Sequence, residues 1–544
     1  MVKNKEQAGP YDAVVVGAGF AGLYSLYRLR AAGFSVRVFE AGDGVGGTWY
    51  WNRYPGARCD VESMEYSYSF SPELESEWEW SERFATQPEI LRYLNHVADR
   101  FGLRPDIQLG TRVTAARYDE AAQQWDVTLD DGAVARPRYS TVRARYLVMA
   151  VGCLSTARTP DLPGLSSFGG ATYHTGHWPT EGVDFTGQRV GVIGTGSSGV
   201  QVIPLVAREA AELVVFQRTA NFTLPARNAP LRREQIDYFR AHRAELRARE
   251  RTSRNGTLRK NFDESAVTAP AQVREERFGH WWGVGGSDII GTFNDLTVDQ
   301  RANDLLADFI RGKVREIVRD PRAAAALTSQ DYPVGAKRVC LGTDYYETFN
   351  RDSVRLVNLR ETPLESVTPT GIRTSDRLYE LDAIVFATGF DAMTGSILAV
   401  DLYGRGGRSL REDWAAGPHT YLGLASNGYP NLFFITGPGS PSVLSNVVVS
   451  IEQHVEWVSD HLEYLRKKDF ASTEADFDAQ EEWVALVNEL ASRTLMPKAA
   501  SWYMGANLPG KPRVFMPFIG GVGRYREMCD AVAADEYRGF VTSA

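Results

Sequence analysis

Two glycine-rich turns contain the residues best suited to hold a nucleotide. The spacing GxGxxG occurs twice, at Gly17, Gly19 and Gly22 and again at Gly194, Gly196 and Gly199. Where such a turn opens a helix, free backbone N–H groups and the helix dipole meet a pyrophosphate, and glycine lets the backbone come close to it. A lone GxGxxG is also compatible with an ordinary glycine turn. Here each copy follows an apolar run and precedes a helical pattern, which predicts two dinucleotide sites.

The residues at the end of the next apolar run distinguish the two sites. Glu40 stands 18 residues beyond Gly22, where an acidic side chain can bond a ribose hydroxyl. The corresponding place in the second unit reads Gln217-Arg218-Thr219, a cation and a hydroxyl suited to a 2′-phosphate. The alternative for Arg218 is an exposed arginine without a ligand. We predict NADPH at the second site and, from the order of the units, FAD at the first.

An aromatic segment follows the first unit. It reads GGTWYW over residues 46–51. Its ring planes can pack against a flavin, or the same rings can form a core cluster. The sequence alone leaves both interpretations open.

The elements that must position these turns form two units of strand, turn and helix. In the first unit, residues 11–16 and 35–39 have the apolar, β-branched character of buried strands, and residues 23–32 have helical spacing. The second unit repeats this order at 189–193, 200–211 and 213–216. Arg, Glu and Ala at helical spacing dominate from 221 to about 331, and strand-like runs resume at 354–356, 383–386 and 432–436.

This order predicts an α/β protein with two Rossmann-like dinucleotide-binding domains, each discontinuous, and a mainly helical insertion. The predicted FAD-binding domain comprises residues 1–150 and 388–544. The predicted NADP-binding domain comprises residues 151–222 and 333–387, and the insertion comprises residues 223–332.

Composition narrows the class of function. A chain of 544 residues with 43% hydrophobic and 24% charged residues is large enough for two to four domains. Its net charge of -8 is spread without blocks, which gives no reason to expect nucleic acid or a membrane as a partner. The four cysteines form no CxxC pair and the histidines have no metal-type spacing, so we expect free thiols, no metal, and a cytoplasmic protein without a signal peptide.

A twelve-residue segment between the two glycine turns resembles a family fingerprint. Residues 168–179, FGGATYHTGHWP, match F-x-G-x-x-x-H-x-x-x-W-P, the pattern of type I flavoprotein Baeyer–Villiger monooxygenases. The resemblance extends through WYWNRYPGARCD at 49–60, Lys337-Arg338, DYYETFNRD at 344–352 and residues 502–507. The chain is similar to the members of this family that oxidise phenylacetone, steroids and cyclohexanone.

The resemblance implies an enzyme that uses NADPH, FAD and O2 to convert a ketone to an ester or lactone through a flavin C4a-peroxide. Aromatic, linear or cyclic ketones are the expected substrates, with sulfoxidation as a further activity. A fixed cation must stabilise the developing oxyanion. By motif match Arg338 is that cation, Asp60 orients it, and Lys337 joins Arg218 and Thr219 at the NADPH phosphate.

The same resemblance assigns further residues. The expected FAD contacts, beside the first glycine turn and Glu40, are Ala21, Gly47, Thr48, Trp49, Tyr50, Trp51, Cys59, Asp60, Tyr66, Val113, Cys153 and Val447. The expected NADP contacts, beside the second glycine turn, are Arg58, Thr195, Ser197, Ser198, Val200, Gln201, Arg338 and Trp502. A glycine- and proline-containing loop after a predicted strand places Ser442, Val443 and Leu444 in the substrate pocket.

Two alternatives remain at this point. A related flavin monooxygenase that oxidises nitrogen or sulfur shares both glycine motifs, although Trp178-Pro179 and Arg338 argue against it. A non-catalytic flavoprotein that senses NADPH is the alternative from a different class. The family histidine, His174, resembles a linker element coupled to domain movement more than a proton carrier.

Overall fold

Two large sheets, one mixed and one parallel, organise residues 10–132 and 137–544, the part of the chain that the computed structural model describes. The strands are β1 (Tyr11–Val16), β2 (Val36–Phe39), β3 (Ile107–Gln108), β4 (Arg112–Asp119), β5 (Gln124–Asp130), β6 (Tyr139–Met149), β7 (Ala171–His174), β8 (Arg189–Ile193), β9 (Glu212–Gln217), β10 (Thr223–Pro225), β11 (Cys340–Gly342), β12 (Val354–Asn358), β13 (Leu364–Thr368), β14 (Gly371–Thr374), β15 (Leu378–Glu380), β16 (Ala383–Phe386), β17 (Asp401–Tyr403), β18 (Leu432–Phe434), β19 (Ser472–Ala475) and β20 (Phe540–Ser543).

The helices are α1 (Phe20–Ala31), α2 (Thr48–Trp51), α3 (Pro72–Glu77), α4 (Gln87–Arg100), α5 (Ser197–Glu209), α6 (Arg233–Ala241), α7 (Arg243–Thr252), α8 (Ala271–Val284), α9 (Gln300–Ile317), α10 (Pro321–Leu327), α11 (Tyr345–Thr348), α12 (Gly395–Leu398), α13 (Leu410–Asp413), α14 (Val447–Lys467), α15 (Phe477–Ser492) and α16 (Val522–Ala534). No helix within the described ranges is long and apolar enough to cross a membrane.

The first sheet has the order β17-β4-β5-β6-β1-β2-β3, with β18 also paired to β6. β1 lies between β2 and β6 in parallel, and its last four residues are buried because both faces of the sheet are covered. β4, β5 and β6 form an antiparallel meander, in which β5 alternates buried and half-buried residues. Strands from distant parts of the chain, β17 and β18, complete this sheet, as expected for a discontinuous domain.

The second sheet has the order β12-β9-β8-β16-β7 and is parallel throughout. The fingerprint segment supplies its edge strand β7, which pairs with β16 through His174 and Phe386. The predicted α/β class is confirmed: each glycine turn joins a central parallel strand to a helix. The exact domain bounds stay a prediction.

Helices α6 to α10 account for most of residues 223–332, where a helical insertion is predicted. The insertion is not helical from its first residue, because β10 at its start pairs in parallel with β11. Arg247 of α7 links the insertion to α3. Its side chain is buried, at 5% exposed, and forms ion pairs of 2.8 Å with Glu75 of α3 and with Glu250 of α7.

Candidate functional site

The first glycine turn runs from β1 into α1 with its backbone tightly packed. Gly17 has φ +101°, and a Cβ there would lie 2.7 Å from the carbonyl oxygen of Ala150. A Cβ on Gly22 would overlap the carbonyl oxygen of Gly17. Only glycine permits this approach of helix to strand, which leaves Gly19 as the N-cap of α1 beside the cavity described next.

A cavity of about 580 Å³ opens above this turn, and we call it the first cavity. Its size is within the usual range for bound ligands, about 300–1,000 Å³. The predicted cofactor residues that line it are Gly17, Gly19, Ala21, Glu40, Gly47, Thr48, Trp49, Trp51, Arg58, Cys59, Asp60, Tyr66, Val113, Cys153, Ser197, Ser198, Gln201, Arg338, Val447 and Trp502. Residues from distant parts of the sequence, including both glycine units, therefore meet at one cavity.

Glu40 lies at the end of β2 and faces this cavity, 5% exposed. Its carboxylate accepts N–H bonds from Ala18 and from Gly42, each 2.8 Å. Burial raises the pKa of Glu40 above its ordinary value, and the two backbone N–H groups oppose that rise. Because each carboxylate oxygen has a second lone pair, the group can still accept a ribose hydroxyl.

The aromatic segment divides between the two roles that the sequence left open. Trp49 and Trp51 line the first cavity, and the indole N–H of Trp49 donates to the Tyr66 hydroxyl at 3.2 Å. Tyr50, on the same short helix, does not line it: its hydroxyl donates to Asp43, and the Arg53 guanidinium lies 4.5 Å from its ring centre. Gly22 is likewise absent from the lining and serves the packing of α1.

The second glycine turn repeats the geometry of the first. Gly194 has φ +109°, and a Cβ on Gly199 would overlap the carbonyl oxygen of Gly194. Gly196 is the N-cap of α5, and Thr195, 4% exposed, donates from its hydroxyl to the Thr219 carbonyl at 3.1 Å. Val200 is fully buried in the core.

Three cations gather beyond this turn. Arg218 and Thr219 follow β9, and Arg360 follows the neighbouring β12. The ammonium of Lys337 lies 4.5 Å from the ring centre of Tyr332. Burial lowers the pKa of Lys337, and the nearby charges of Arg218 and Arg360 lower it further. Such a cluster of cations is the arrangement expected of a phosphate site, and Arg360 is the cation in it that sequence motifs did not single out.

Arg338 and Asp60 form a bidentate ion pair. Nε and Nη2 of Arg338 donate to the two carboxylate oxygens of Asp60 at 2.9 and 2.6 Å, and Nη1 donates to the Val443 carbonyl at 2.8 Å. The nearby Asp60 charge raises the pKa of Arg338, so this guanidinium stays protonated. Of its five N–H groups, one on each Nη remains for another acceptor.

A second cavity of about 710 Å³ shares part of its lining with the first: Asp60, Val61, Arg338, Val443 and Ser445 line both. Leu444, Lys337 and the buried Tyr503 also line it. Desolvation raises the pKa of Tyr503 to about 12, so its hydroxyl stays protonated near the Arg338 guanidinium. The ion pair therefore stands where the two cavities meet. Tyr503 belongs to the segment 502–507 that resembles the family, but no role at this site was predicted for it from the sequence.

The predicted substrate loop is a single 3-10 turn, Ser442–Leu444. Val443 lines both cavities and Leu444 only the second. Ser442 lines neither: it is fully buried, has φ +40°, and its hydroxyl lies 3.7 Å from the Cys153 sulfur.

His174 lines neither cavity and fixes the fingerprint segment. Its Nδ1 accepts the N–H of Gly176 at 2.9 Å, and its Nε2 is 3.0 Å from the Arg158 carbonyl. With Nδ1 accepting, Nε2 must carry the proton and donate, which is the neutral form. Burial lowers the pKa of His174, in keeping with that form and with the linker interpretation.

All four cysteines are free and buried. Cys59 and Cys153 line the first cavity, and desolvation raises the pKa of both thiols, so they stay protonated. Among residues 10–132 and 137–544, no group of three or more His, Cys, Asp or Glu side chains is placed to hold a metal ion.

Comparison with known proteins identifies the family. A family model for an NAD(P)-binding Rossmann-like domain matches residues 15–75, and one for L-lysine 6-monooxygenase/L-ornithine 5-monooxygenase matches residues 75–270. A Baeyer–Villiger monooxygenase of Pseudooceanicola batsensis is 42% identical over 99% of this chain and 97% of its own. A phenazine N-monooxygenase of Lysobacter antibioticus is 41% identical, over 98% and 97%.

The solved structures agree. An oxidised steroid monooxygenase bound to NADP is 51% identical to this chain, covers 98% of it and 99% of its own length, and superposes with a TM-score of 0.93. Similarity at this level over the whole chain, together with the fingerprint and the two glycine turns, places the chain in the Baeyer–Villiger monooxygenase family of flavoproteins.

Proposed function

We propose that this protein is an FAD-dependent monooxygenase that uses NADPH and O2 to convert ketones to esters or lactones. The overall reaction consumes ketone, O2, NADPH and a proton and yields the ester, NADP and water. The observation that supports it best is the Arg338–Asp60 ion pair at the junction of the two cavities, with free guanidinium N–H groups.

The residues of the first cavity fit a flavin dinucleotide. The glycine turn leaves no room for a Cβ, the N-terminus of α1 faces the cavity, and Glu40 is held ready to accept a hydroxyl. Trp49, Trp51 and Tyr66 supply aromatic surface for a planar ring system. Bound FAD, reduced by NADPH, supplies the activation of O2.

Arg338 provides the electrostatic stabilisation. When activated oxygen adds to the ketone carbon, the carbonyl oxygen gains negative charge. One carbon then leaves the carbonyl carbon for the inserted oxygen as the C=O bond re-forms and the O–O bond breaks, which gives the ester, and the second oxygen atom ends as water with the electrons of NADPH. The free N–H groups of Arg338 hold that oxyanion, since preorganised donors need no reorganisation. Asp60 and the Val443 carbonyl fix the guanidinium plane in place.

The 2′-phosphate of the coenzyme and the ketone bind to different groups of residues. Arg218, Thr219 and Lys337 bind the 2′-phosphate: Arg218 and Thr219 follow β9, and Lys337 approaches them from the lining of the second cavity. The second cavity holds the ketone, and about 710 Å³ accommodates aromatic, linear and cyclic ketones. Val443 and Leu444 contact it there.

Nitrogen or sulfur oxygenation is a second candidate. A relative named a phenazine N-monooxygenase favours it, as does the match to the lysine and ornithine monooxygenase model. Such nucleophiles accept oxygen without forming an oxyanion at carbon, so this activity would depend less on Arg338. Sulfoxidation fits the same site.

Product analysis with labelled oxygen tests the proposal. The purified holoenzyme, NADPH and ¹⁸O2 are incubated with linear, cyclic and aromatic ketones, a thioether and a phenazine. We expect esters or lactones with one ¹⁸O atom and NADPH oxidation that accelerates when ketone is added. A yellow protein that forms labelled product from the thioether or the phenazine only would be a nitrogen or sulfur monooxygenase, and one that forms no labelled product from any of these compounds would be a non-catalytic flavoprotein.

The expected reaction partners are a small-molecule ketone and O2. A cytoplasmic location is the companion proposal, supported by four buried thiols without a disulfide. Reporter fusion and fractionation would test it.

A further inference from the structure

We propose that Arg360 is a third cation of the 2′-phosphate site and that it helps to set the preference for NADPH over NADH. The inference rests on the proposed use of NADPH and adds a residue that specifies the coenzyme. Neither of the glycine motifs nor the fingerprint includes this position.

Strand pairing places Arg360 at the site. β9 and β12 run parallel and pair through to Gln217 and Asn358, so the residues that follow both strands emerge at the same sheet edge. The backbone N–H of Leu359 donates to the Gln217 carbonyl at 2.8 Å, and Nε of Arg360 donates to the Arg218 carbonyl at 3.0 Å. In dinucleotide-binding units this edge receives the adenosine ribose and its 2′ substituent.

Charge at this edge favours a dianion. Arg218, Lys337 and Arg360 lie close enough for the two arginines to affect the pKa of Lys337, and Asp331 is the carboxylate near them. Asp331 accepts one N–H of Arg360 at 3.0 Å, and both side chains are largely exposed, 41% and 61%. Three of the five N–H groups of Arg360 remain for a ligand. Three cations and the single carboxylate of Asp331 leave this edge with a net positive charge. A phosphate bound between the cations would balance that charge.

Two variants separate a phosphate ligand from a surface ion pair. Kd values of the holoenzyme for NADPH, NADH, 2′,5′-ADP and 5′-AMP are measured for Arg360→Gln and Asp331→Asn, with exposed Arg373→Gln on β14 as the matched control. We expect Arg360→Gln to weaken NADPH and 2′,5′-ADP by about 10-fold, as for loss of one charge-assisted bond. NADH and 5′-AMP should change less than about twofold.

Asp331→Asn decides the cause. If Arg360 binds phosphate, freeing it from Asp331 and removing a nearby negative charge leaves NADPH binding as tight or tighter. If Arg360 acts only through that ion pair, Asp331→Asn weakens NADPH as much as Arg360→Gln does, and the proposal is wrong. Equal losses for NADPH and NADH in Arg360→Gln also overturn it. Ester formation by Arg360→Gln is also measured at saturating NADPH. It tests the proposed monooxygenase function independently of how tightly the coenzyme binds.

Discussion

Arg338 combines a fixed position with a protected charge. Its bidentate bonds to Asp60 use the planar fork of the guanidinium, and the third bond to Val443 fixes the remaining end. A lysine at this position would offer a point charge whose pKa falls readily on burial. The Arg338 side chain is 31% exposed, so the guanidinium is fixed in position and still accessible to a ligand in the cavities.

Arg338→Ala should strongly slow oxygen insertion while leaving the earlier steps in place. A fixed donor at a developing oxyanion contributes about 2.7–4 kcal/mol, so ester formation should fall by at least ~100-fold. The variant should still bind FAD and be reduced by NADPH, because the glycine turns and the phosphate cations are untouched. Stopped-flow reduction followed by product analysis measures both, with Arg338→Lys as the charge-conserving control. Ester formation at the wild-type rate in Arg338→Ala would remove Arg338 from the mechanism.

Arg218→Ala should affect one coenzyme only. Loss of a charge-assisted bond to the 2′-phosphate costs about 1.5–3 kcal/mol, which weakens NADPH by about 10- to 100-fold. NADH has no such phosphate and should be nearly unchanged. Steady-state KM values for both coenzymes test this. Equal losses for both would mean that Arg218 maintains the fold of the β9 end and does not bind phosphate.

At the scale of elements, local patterns predicted much of the site and long-range pairing produced the rest. The strand–turn–helix units were predictable because glycine spacing and apolar runs are local features. The aromatic segment shows the limit: Trp49 and Trp51 lie about 200° apart around α2, yet both line the cavity and Tyr50 between them does not, so helical spacing alone could not tell which rings face it. Arg360 comes close to Arg218 only because β12 pairs with β9, and no sequence pattern predicts that pairing.

The Ser442–Leu444 turn should control substrate range. Leu444 lines the second cavity but not the first, so Leu444→Ala should enlarge the second cavity without disturbing Arg338. We expect bulkier cyclic ketones to gain activity and NADPH oxidation without substrate to stay unchanged. Val443→Ala is the companion variant, since the Val443 side chain reaches both cavities. Identical substrate profiles for the two variants and the wild type would exclude this turn from the pocket.

On the scale of the whole molecule, the site exists because separate parts of the chain are held together. β17 and β18 return from the C-terminal part to the first sheet, α14 packs against α1, and the Arg247 network joins the insertion to α3. Removing one partner of such a buried network leaves an uncompensated charge, which is strongly destabilising. The two cavities meet at Asp60, Arg338 and Val443, which lie far apart in sequence.

The long helix α14 makes the whole fold sensitive to acid. It carries His454 and His461, both fully buried, and desolvation lowers the pKa of each to about 3. His454 accepts the backbone N–H of Thr436 at 3.0 Å, and His461 stacks on Tyr537 with ring centres 4.0 Å apart. The unfolded chain takes up a proton near pH 6.5 and the folded chain does not, so stability is present above that pH and falls as pH drops towards 3.

Replacing His461 should remove its share of this acid sensitivity. Within the described part of the chain, neither ring nitrogen of His461 has a hydrogen-bond partner, so Phe keeps the aromatic packing and loses only the titrating group. One such histidine costs about 1.4 kcal/mol per pH unit below 6.5. From pH 7.5 to 5.5, urea unfolding of wild-type holoenzyme should therefore lose about 1.4 kcal/mol more than that of His461→Phe. The exposed His242→Gln serves as control and should follow the wild type. If His461→Phe loses as much stability between the two pH values as the wild type does, His461 is not excluded from protonation in the folded state.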